Sequence, residues 1–153
     1  MSDNIVIRHA VKDDVEGMLR VLEELFGIEE DFHFDHEKQR KGLNILLDNP
    51  ERCCVMVADK DGEIAGMCQA QTLISTAEGD YVAYIEDMVI HESYRRHGLG
   101  KRLLSGVEEW CRKNGLKRIQ LLADLSNEPA LNFYKKNNWA QTNLICFRRM
   151  DYP

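Results

Sequence analysis

The residues best suited to chemistry stand in one short stretch, YRRHGLGKRLL, residues 94–104. Two glycines, Gly98 and Gly100, lie there at the start of an amphipathic segment. Glycines leave the backbone uncovered, and the first amides of a helix have no partners within the helix. The stretch therefore predicts a site for an anion, held at the positive end of a helix. Four cationic side chains surround it: Arg95, Arg96, Lys101 and Arg102.

Two familiar phosphate-binding motifs do not match this stretch. A P-loop requires Ser or Thr after its Gly-Lys pair, but Arg102 follows Gly100-Lys101, and no glycine stands five residues before Gly100. A dinucleotide fingerprint requires a third glycine where Leu103 stands. The pattern that remains, R-x-x-G-x-G running into a helix, can wrap a pyrophosphate with successive amides. Its alternative is an ordinary glycine-containing turn before a surface helix.

Composition limits the possible partners. The chain has 153 residues, a net charge of -6 and a pI near 5.4, which disfavours nucleic acid as a partner. No apolar run approaches the ~18 residues of a membrane span, and the start lacks signal-peptide features, so we expect a cytoplasmic protein that does not bind membranes. The five cysteines show no C-x-x-C spacing, which favours buried free thiols and predicts no metal site.

The elements that must position the anion site follow from periodicity. We predict strands at 5–10, 53–59, 63–74, 81–90 and 118–123, and a final strand near Ile145 to Met150. Helices are predicted at 12–26, 35–47, 99–114 and about 128–136. Asp61-Gly62 is a hairpin signal between the second and third strands. The order predicts an α+β layered domain, with about four helices flanking a mixed, mostly antiparallel sheet.

Two segments in register resemble the GNAT N-acetyltransferase superfamily. IEDMVIHESYRRHGLGKRLL, residues 85–104, resembles its central signature, in which a strand and a short turn lead into [Q/R]-x-x-G-x-[G/A] and a helix. NEPALNFYKKNNW, residues 127–139, resembles its second signature, N-x-x-A-x-x-[F/L]-Y. The family's usual glycine after this second helix is replaced by Asn137-Asn138, and asparagine tolerates a left-handed helix cap. The resemblance spans nearly the whole chain and implies one acetyltransferase domain, residues 1–153.

The resemblance implies acetyl-CoA as the acyl donor. The pantetheine arm would pair with the edge of the strand at Met88 to Ile90, and Asn127 would contact it or cap the following helix. Arg95 would support the loop or reach a phosphate. The cofactor-binding residues implied are Met88, Val89, Ile90, Arg95, Arg96, His97, Gly98, Leu99, Gly100, Lys101, Asn127 and Tyr134.

The implied reaction is direct attack of an amine on a thioester in a ternary complex. Tyr134 would donate a proton to the leaving sulfur, and the Met88 amide would meet the oxyanion. Glu86 is the first candidate for the base, directly or through water, and Asp87 is the second. Regular alternation puts Glu86 and Asp87 on opposite faces of their strand, but a bulge is common there in the family. Both carboxylates could instead be structural or bind the charge of the acceptor.

The acceptor is expected at the first two helices, near residues 26–34 (FGIEEDFHF), where acidic and aromatic side chains would suit a small cationic amine. A solvated acidic loop is the alternative. Protein lysines or N-termini are further possible acceptors. A GNAT-fold module that binds acyl-CoA without turnover is a function of a different class. The resemblance also allows a homodimer, through edge pairing of the predicted final strand.

Overall fold

The computed structural model describes residues 4–28 and 33–152. The chain divides after Leu121 into two compact units. Within these residues, the first unit contains the sheet and three α-helices, and the second contains one α-helix and the C-terminal segment. Among the residues described, no helix is long and apolar enough to cross a membrane.

A five-stranded mixed sheet forms the centre of the first unit. Its strands lie side by side in chain order. The first four pair antiparallel, and only the last pair is parallel. The predicted mixed, mostly antiparallel sheet is therefore confirmed. The strands are β1 (Ile5–His9), β2 (Cys53–Lys60), β3 (Glu63–Ser75), β4 (Asp80–Ile90) and β5 (Ile119–Leu121).

Helices cover both faces of this sheet. They are α1 (Val15–Ile28), α2 (His36–Leu47) and α3 (Leu99–Lys113). The apolar side of α1 packs with Leu43 of α2 against Val57 and Met67 of the sheet, so α1 and α2 share one face. On the other face, a Cβ at Gly106 of α3 would stand 3.0 Å from Met56 Cε and 3.4 Å from Ile7 Cγ2. The apolar faces of α1 and α3 were predicted from periodicity, and the residues of these faces are buried except Trp110, which is half-buried.

Local turn chemistry fixes where the elements end. Asp61 and Gly62 both have positive φ, 52° and 92°, as the two central residues of a tight hairpin turn require. Asp35 caps α2 by accepting a hydrogen bond from the Lys38 amide at 3.2 Å. Gly115 ends α3 with a φ of 67°. The hairpin signal at Asp61-Gly62 is confirmed, and so is the end of the helix predicted at 99–114.

The second unit contains α4 (Glu128–Lys136), which ends on asparagine instead of glycine. Asn138 has a φ of 67°, and its amide donates to the Lys135 carbonyl at 3.2 Å. The Trp139 amide donates to the Tyr134 carbonyl at 3.0 Å, and their rings lie 5.8 Å apart between centroids. This is a Schellman motif with its accompanying hydrophobic contact. The predicted asparagine cap is confirmed at Asn138.

The prediction of a final strand at Ile145 to Met150 is wrong. The described part of this segment contains no strand, and its apolar side chains are exposed, including Ile145, Phe147 and Met150. A strand exists only when another strand completes its hydrogen bonds. Alternating apolar residues make a segment compatible with a sheet, but they do not supply the partner.

Candidate functional site

The turn between β4 and α3 has the backbone form of an anion site. A short 3-10 turn, Glu92–Tyr94, leads into it, and α3 begins at Leu99. Arg96 and Gly98 both have positive φ, 66° and 74°. A Cβ built on Gly98 meets nothing within 4 Å, so the space beside this residue is open. Left-handed residues among consecutive amides are typical of the concave nests that bind anions.

The amides of this turn have no acceptors among the residues described. From Arg96 to Lys101, none donates a hydrogen bond to backbone or side chain there, and no side chain caps α3. The first helical bond runs from the Arg102 amide to the Gly98 carbonyl at 3.2 Å. The side chains of Arg96, His97 and Lys101 are exposed. The turn therefore presents consecutive donors, a helix N-terminus and cationic side chains together.

Arg95 supports the turn. Its Nε donates to the Ile90 carbonyl at 3.0 Å, and its Nη2 lies 3.4 Å from Glu24 Oε2 on α1. The same carboxylate accepts from the Glu92 amide at 3.1 Å and contacts His91 Nε2 at 3.1 Å. Glu24 thus connects α1 to three residues of the turn. Of the two roles considered for Arg95, these contacts match the supporting one.

Beyond Ile85, β4 has an edge that β5 does not cover. β5 pairs with Ala83, Tyr84 and Ile85 only. The His91 amide donates to the Ala65 carbonyl of β3 at 2.8 Å. Because successive amides of a strand alternate in direction, those of Met88 and Ile90 face away from β3, toward the uncovered edge. This edge leads directly into the turn that carries the unpartnered amides.

A β-bulge in β4 determines which face each carboxylate occupies. Gln69 of β3 pairs with Asp87, whereas the next residue, Ala70, pairs with Ile85. Glu86 is the extra residue, and its side chain is exposed. The bulge anticipated in this strand is confirmed. Since cross-strand partners share a face, Asp87 lies with Gln69 and Met67 on the side of the sheet that α1 and α2 cover.

Asp87 is held in a partly buried chain of amides. Gln69 Nε2 donates to Asp87 Oδ2 at 3.0 Å, and Gln71 Nε2 donates to Gln69 Oε1 at 3.2 Å. Among the residues described, none donates to Asp87 Oδ1. Burial raises the pKa of Asp87 to about 6, the hydrogen bond from Gln69 acts to lower it, and the charge of Glu86 raises it further. This carboxyl titrates close to neutral pH.

The second unit contains the other two predicted site residues. Asn127 Oδ1 accepts from the Ala130 amide at 3.2 Å, so its predicted role as a helix cap is confirmed. The Tyr134 ring packs between Phe133 and Trp139, with centroid distances of 5.3 and 5.8 Å. The contacts of Asn127 and Tyr134 with a cofactor remain predictions.

The predicted acceptor segment is described in part. Glu29 to Phe32 lie outside the described residues. On either side of them, the rings of Phe26 and Phe34 are 6.5 Å apart, and both pack against the apolar cluster of α1. His36 stands 6.0 Å from Phe34 in an edge-on arrangement. These rings belong to the α1 and α2 side of the sheet, the side of Asp87.

The buried cysteines do not have the environment of a reactive nucleophile. All five thiols are free, and Cys54, Cys68 and Cys111 are buried, as predicted. Cys53 is half-buried and Cys146 is exposed, so the prediction of burial is wrong for Cys146. Burial raises the pKa of Cys54 to about 12 and that of Cys111 to about 11. Thiols with such pKa values stay protonated and unreactive at neutral pH.

Sequence reasoning missed three residues that organise this site. Gln69 and Gln71 are two residues apart in the mostly apolar part of β3, and two polar residues at that spacing were a signal for a buried polar pair. Glu24 gave no signal, because an acidic residue on an amphipathic helix is indistinguishable from one that faces solvent. Its partners come from a turn 68 residues further along the chain.

Comparisons with known proteins identify the family of this chain. Residues 16–139 match the sequence model described as "Acetyltransferase (GNAT) family", a range that extends over parts of both units. An uncharacterized N-acetyltransferase of Archaeoglobus fulgidus is 29% identical over 129 residues, which are 84% of this chain and 88% of the relative. An aminoglycoside N(6')-acetyltransferase type 1 of Serratia marcescens is 23% identical over 116 residues, 74% of this chain and 80% of the relative.

Among solved structures, the aminoglycoside N-acetyltransferase AAC(6')-Iy in complex with CoA superimposes with a TM-score of 0.84 at 16% identity, covering 98% of this chain and 97% of that one. At this identity the likeness establishes the fold. The family match covers far more than half of the 153 residues. The chain belongs to the acetyltransferase (GNAT) family.

Proposed function

We propose that this protein is an acetyl-CoA-dependent N-acetyltransferase that acts on a primary amine of a small molecule. The observation that carries the proposal is the run of amides from Arg96 to Lys101, which has no acceptors among the described residues and adjoins the uncovered edge of β4. A pyrophosphate joined to a peptide-like arm is the kind of ligand that can use both features at once. Coenzyme A has this chemistry.

The residues present fit such a ligand. The pyrophosphate would lie on the Arg96–Lys101 amides, where the open space at Gly98 allows close approach. The cationic side chains of Arg96 and Lys101 would add attraction for the phosphates, and the pantetheine amides would pair with the backbone of Met88 and Ile90. Bound acetyl-CoA supplies the activated acyl group.

Asp87 is the base that we propose. An amine acceptor arrives mostly protonated at neutral pH and must lose a proton before it attacks. With a pKa of about 6, Asp87 is about ten times more often ionised than protonated at pH 7, so it is available to accept that proton. Glu86, exposed on the bulge, lacks this environment. It is better suited to attracting a cationic acceptor.

The remaining steps use Tyr134 and the Met88 amide. The protonated amine first gives one proton to Asp87. Attack by the neutral amine then forms the C–N bond, and the C–S bond breaks as the intermediate collapses. The second proton that leaves the nitrogen replaces the one that Tyr134 gives to the sulfur. Tyr134 donates its phenolic proton to the departing sulfur, and the Met88 amide faces the oxygen on which negative charge develops. Both assignments rest on the family signature and on the direction of the Met88 amide.

Two observations support a small amine as the acceptor. The relatives named above include an enzyme that acetylates aminoglycosides, and a second such enzyme shares the fold. The chain itself carries a net charge of -6. An acidic protein attracts cations, although net charge alone does not select one amine.

A turnover assay with a panel of amines tests the proposal. Release of free thiol from acetyl-CoA is followed with kanamycin, ornithine, spermidine, glucosamine 6-phosphate, and peptides with a free N-terminus or a lysine. Tyr134→Phe is the control, because it keeps the ring packing and removes the proton donor. We expect at least one small amine to be acetylated, and the Tyr134→Phe variant to be slower by about tenfold or more.

Other outcomes would redirect or refute the proposal. Acetylation of the peptides alone would make the protein a peptide or protein acetyltransferase. Tight binding of acetyl-CoA with no turnover on any amine would favour a non-catalytic binding module. Failure to bind acetyl-CoA would contradict the proposal altogether.

A further inference from the structure

We propose that Gln69 is a positioning residue for Asp87, and that Gln71 fixes the orientation in which Gln69 acts. The inference rests on the proposed function, in which Asp87 is the base. It concerns two side chains of β3 that the family signatures do not include, since those signatures lie in residues 85–104 and 127–139.

The hydrogen bonds all run in one direction, from Gln71 to Gln69 and from Gln69 to Asp87. Gln71 donates to Gln69 Oε1, so the carbonyl side of the Gln69 amide is occupied and its Nε2 faces the carboxylate. Gln69 is only 2% exposed, whereas Gln71 is half-buried at the outer end. A buried amide in this orientation can donate to an ionised carboxylate but not accept from a protonated one.

Two consequences follow for Asp87. Its Oδ2 is occupied by Gln69, which leaves Oδ1 as the oxygen that can accept a proton from the acceptor amine. A hydrogen bond to the ionised form also opposes the effect of burial on the pKa. Without Gln69, we expect the carboxyl to remain protonated at pH values where the enzyme needs it ionised.

Few other charged groups act on Asp87. On its own strand the neighbouring charge is Glu86, which raises the pKa of Asp87. On β3 its polar neighbours are Gln69, which is neutral, and Cys68, a buried thiol whose own pKa is raised. From α1, Glu24 is directed to the β4–α3 turn and pairs there with Arg95 and His91. Among the described residues, Gln69 is thus the one that donates a hydrogen bond to Asp87 and so favours its ionised form.

The test measures the Asp87 carboxyl directly. The full chain is labelled with carbon-13 at the aspartate carboxyls and titrated by NMR, and the Asp87 signal is assigned by its loss in Asp87→Asn. We expect Gln69→Met to raise the pKa of Asp87 by about one pH unit, since Met cannot donate. Gln71→Leu should raise it less, because Gln69 Nε2 can still reach Oδ2. Gln39→Leu, at an amide on α2 away from this network, is the matched control and should leave it unchanged.

A second readout uses the pH dependence of kcat/KM with the best acceptor of the amine panel. In Gln69→Met, kcat/KM should fall about fivefold at pH 6 and change less than twofold near pH 9, because only the ionised fraction of Asp87 is altered. A merely structural role would lower kcat/KM equally at all pH values.

The outcomes separate this inference from the proposed function. An NMR pKa that rises while the acid limb of kcat/KM does not move supports the role of Gln69 and contradicts Asp87 as the base. A folded Gln69→Met variant with an unchanged Asp87 pKa overturns the inference, whatever its activity. If Gln69→Met does not fold, Gln69→Asn tests the same contact with a neutral amide that is one methylene shorter, and an unchanged Asp87 pKa there overturns the inference as well.

Discussion

Two adjacent carboxylates in β4 have different environments because of one extra residue. The bulge at Glu86 rotates Asp87 onto the face of Gln69, where it is desolvated and hydrogen-bonded, and leaves Glu86 in solvent. Whether a carboxylate can act as a base or is only a surface charge depends more on its burial and hydrogen bonds than on its residue type. This difference of face and burial is the basis for choosing Asp87 over Glu86.

Replacing each carboxylate in turn tests that choice. Asp87→Asn should lower kcat at pH 7.5 by about 10²- to 10⁴-fold, because general-base catalysis contributes about that much. Glu86→Gln is the matched control, one residue away, and should change kcat less than about threefold. Steady-state kinetics with the best acceptor of the panel measures both. A larger loss in Glu86→Gln than in Asp87→Asn would reverse the assignment.

At the scale of elements, α3 begins in a turn whose form was readable from the sequence. Gly98 adopts a φ of 74° with open space around it, which fits both an unstrained turn and the approach of a phosphate. Gly79, in the turn between β3 and β4, has a φ of 64° and equally open surroundings. Both glycines therefore need a positive φ, but only Gly98 lies in the turn before α3.

This pair separates backbone strain from ligand binding. Gly98→Ala and Gly79→Ala should each destabilise the fold by about 1–2 kcal/mol, because a Cβ is disfavoured in the left-handed region. Only Gly98→Ala should also weaken CoA binding, by about tenfold or more, since its methyl group occupies the approach to the amides. Urea unfolding and calorimetric titration measure the two effects. If the two variants bound CoA with equal affinity, the pyrophosphate would not lie at this turn.

Some of these helices and strands could be predicted from the sequence, and others could not. Helices α1 and α3 follow from apolar residues at helical spacing, and the β2–β3 hairpin follows from Asp61-Gly62, because these signals are local. The final strand near Ile145 failed because a strand depends on a partner elsewhere in the chain. The position of the bulge, the Gln69–Asp87 bond and the contacts of Glu24 depend on register between distant segments, which periodicity does not encode.

The buried carboxyl of Asp87 also affects the stability of the whole molecule. An aspartate in the unfolded chain has a pKa near ~3.9, whereas folded Asp87 has a pKa of about 6. Between these values the folded state binds more protons than the unfolded state. The contribution of Asp87 therefore makes the protein more stable as the pH falls from about 7 to about 4, and it is destabilising above that range.

Asp87→Asn should remove this pH dependence. At pH 8 the variant should be more stable than the unchanged protein by on the order of 1–3 kcal/mol, and the difference should shrink toward zero near pH 4. Urea unfolding at a series of pH values measures both proteins, and taking the difference cancels the contribution of other titrating groups. A difference that is constant with pH would mean that Asp87 is not desolvated in the folded state.

We propose that the turn before α3 and the uncovered edge of β4 together hold coenzyme A. Nitrogen-15 NMR of the full chain, titrated with CoA, tests it most directly. We expect the largest amide shifts between Arg96 and Lys101, with further shifts at Met88 and Ile90. Binding of CoA that leaves the amides of residues 96–101 unshifted would contradict it.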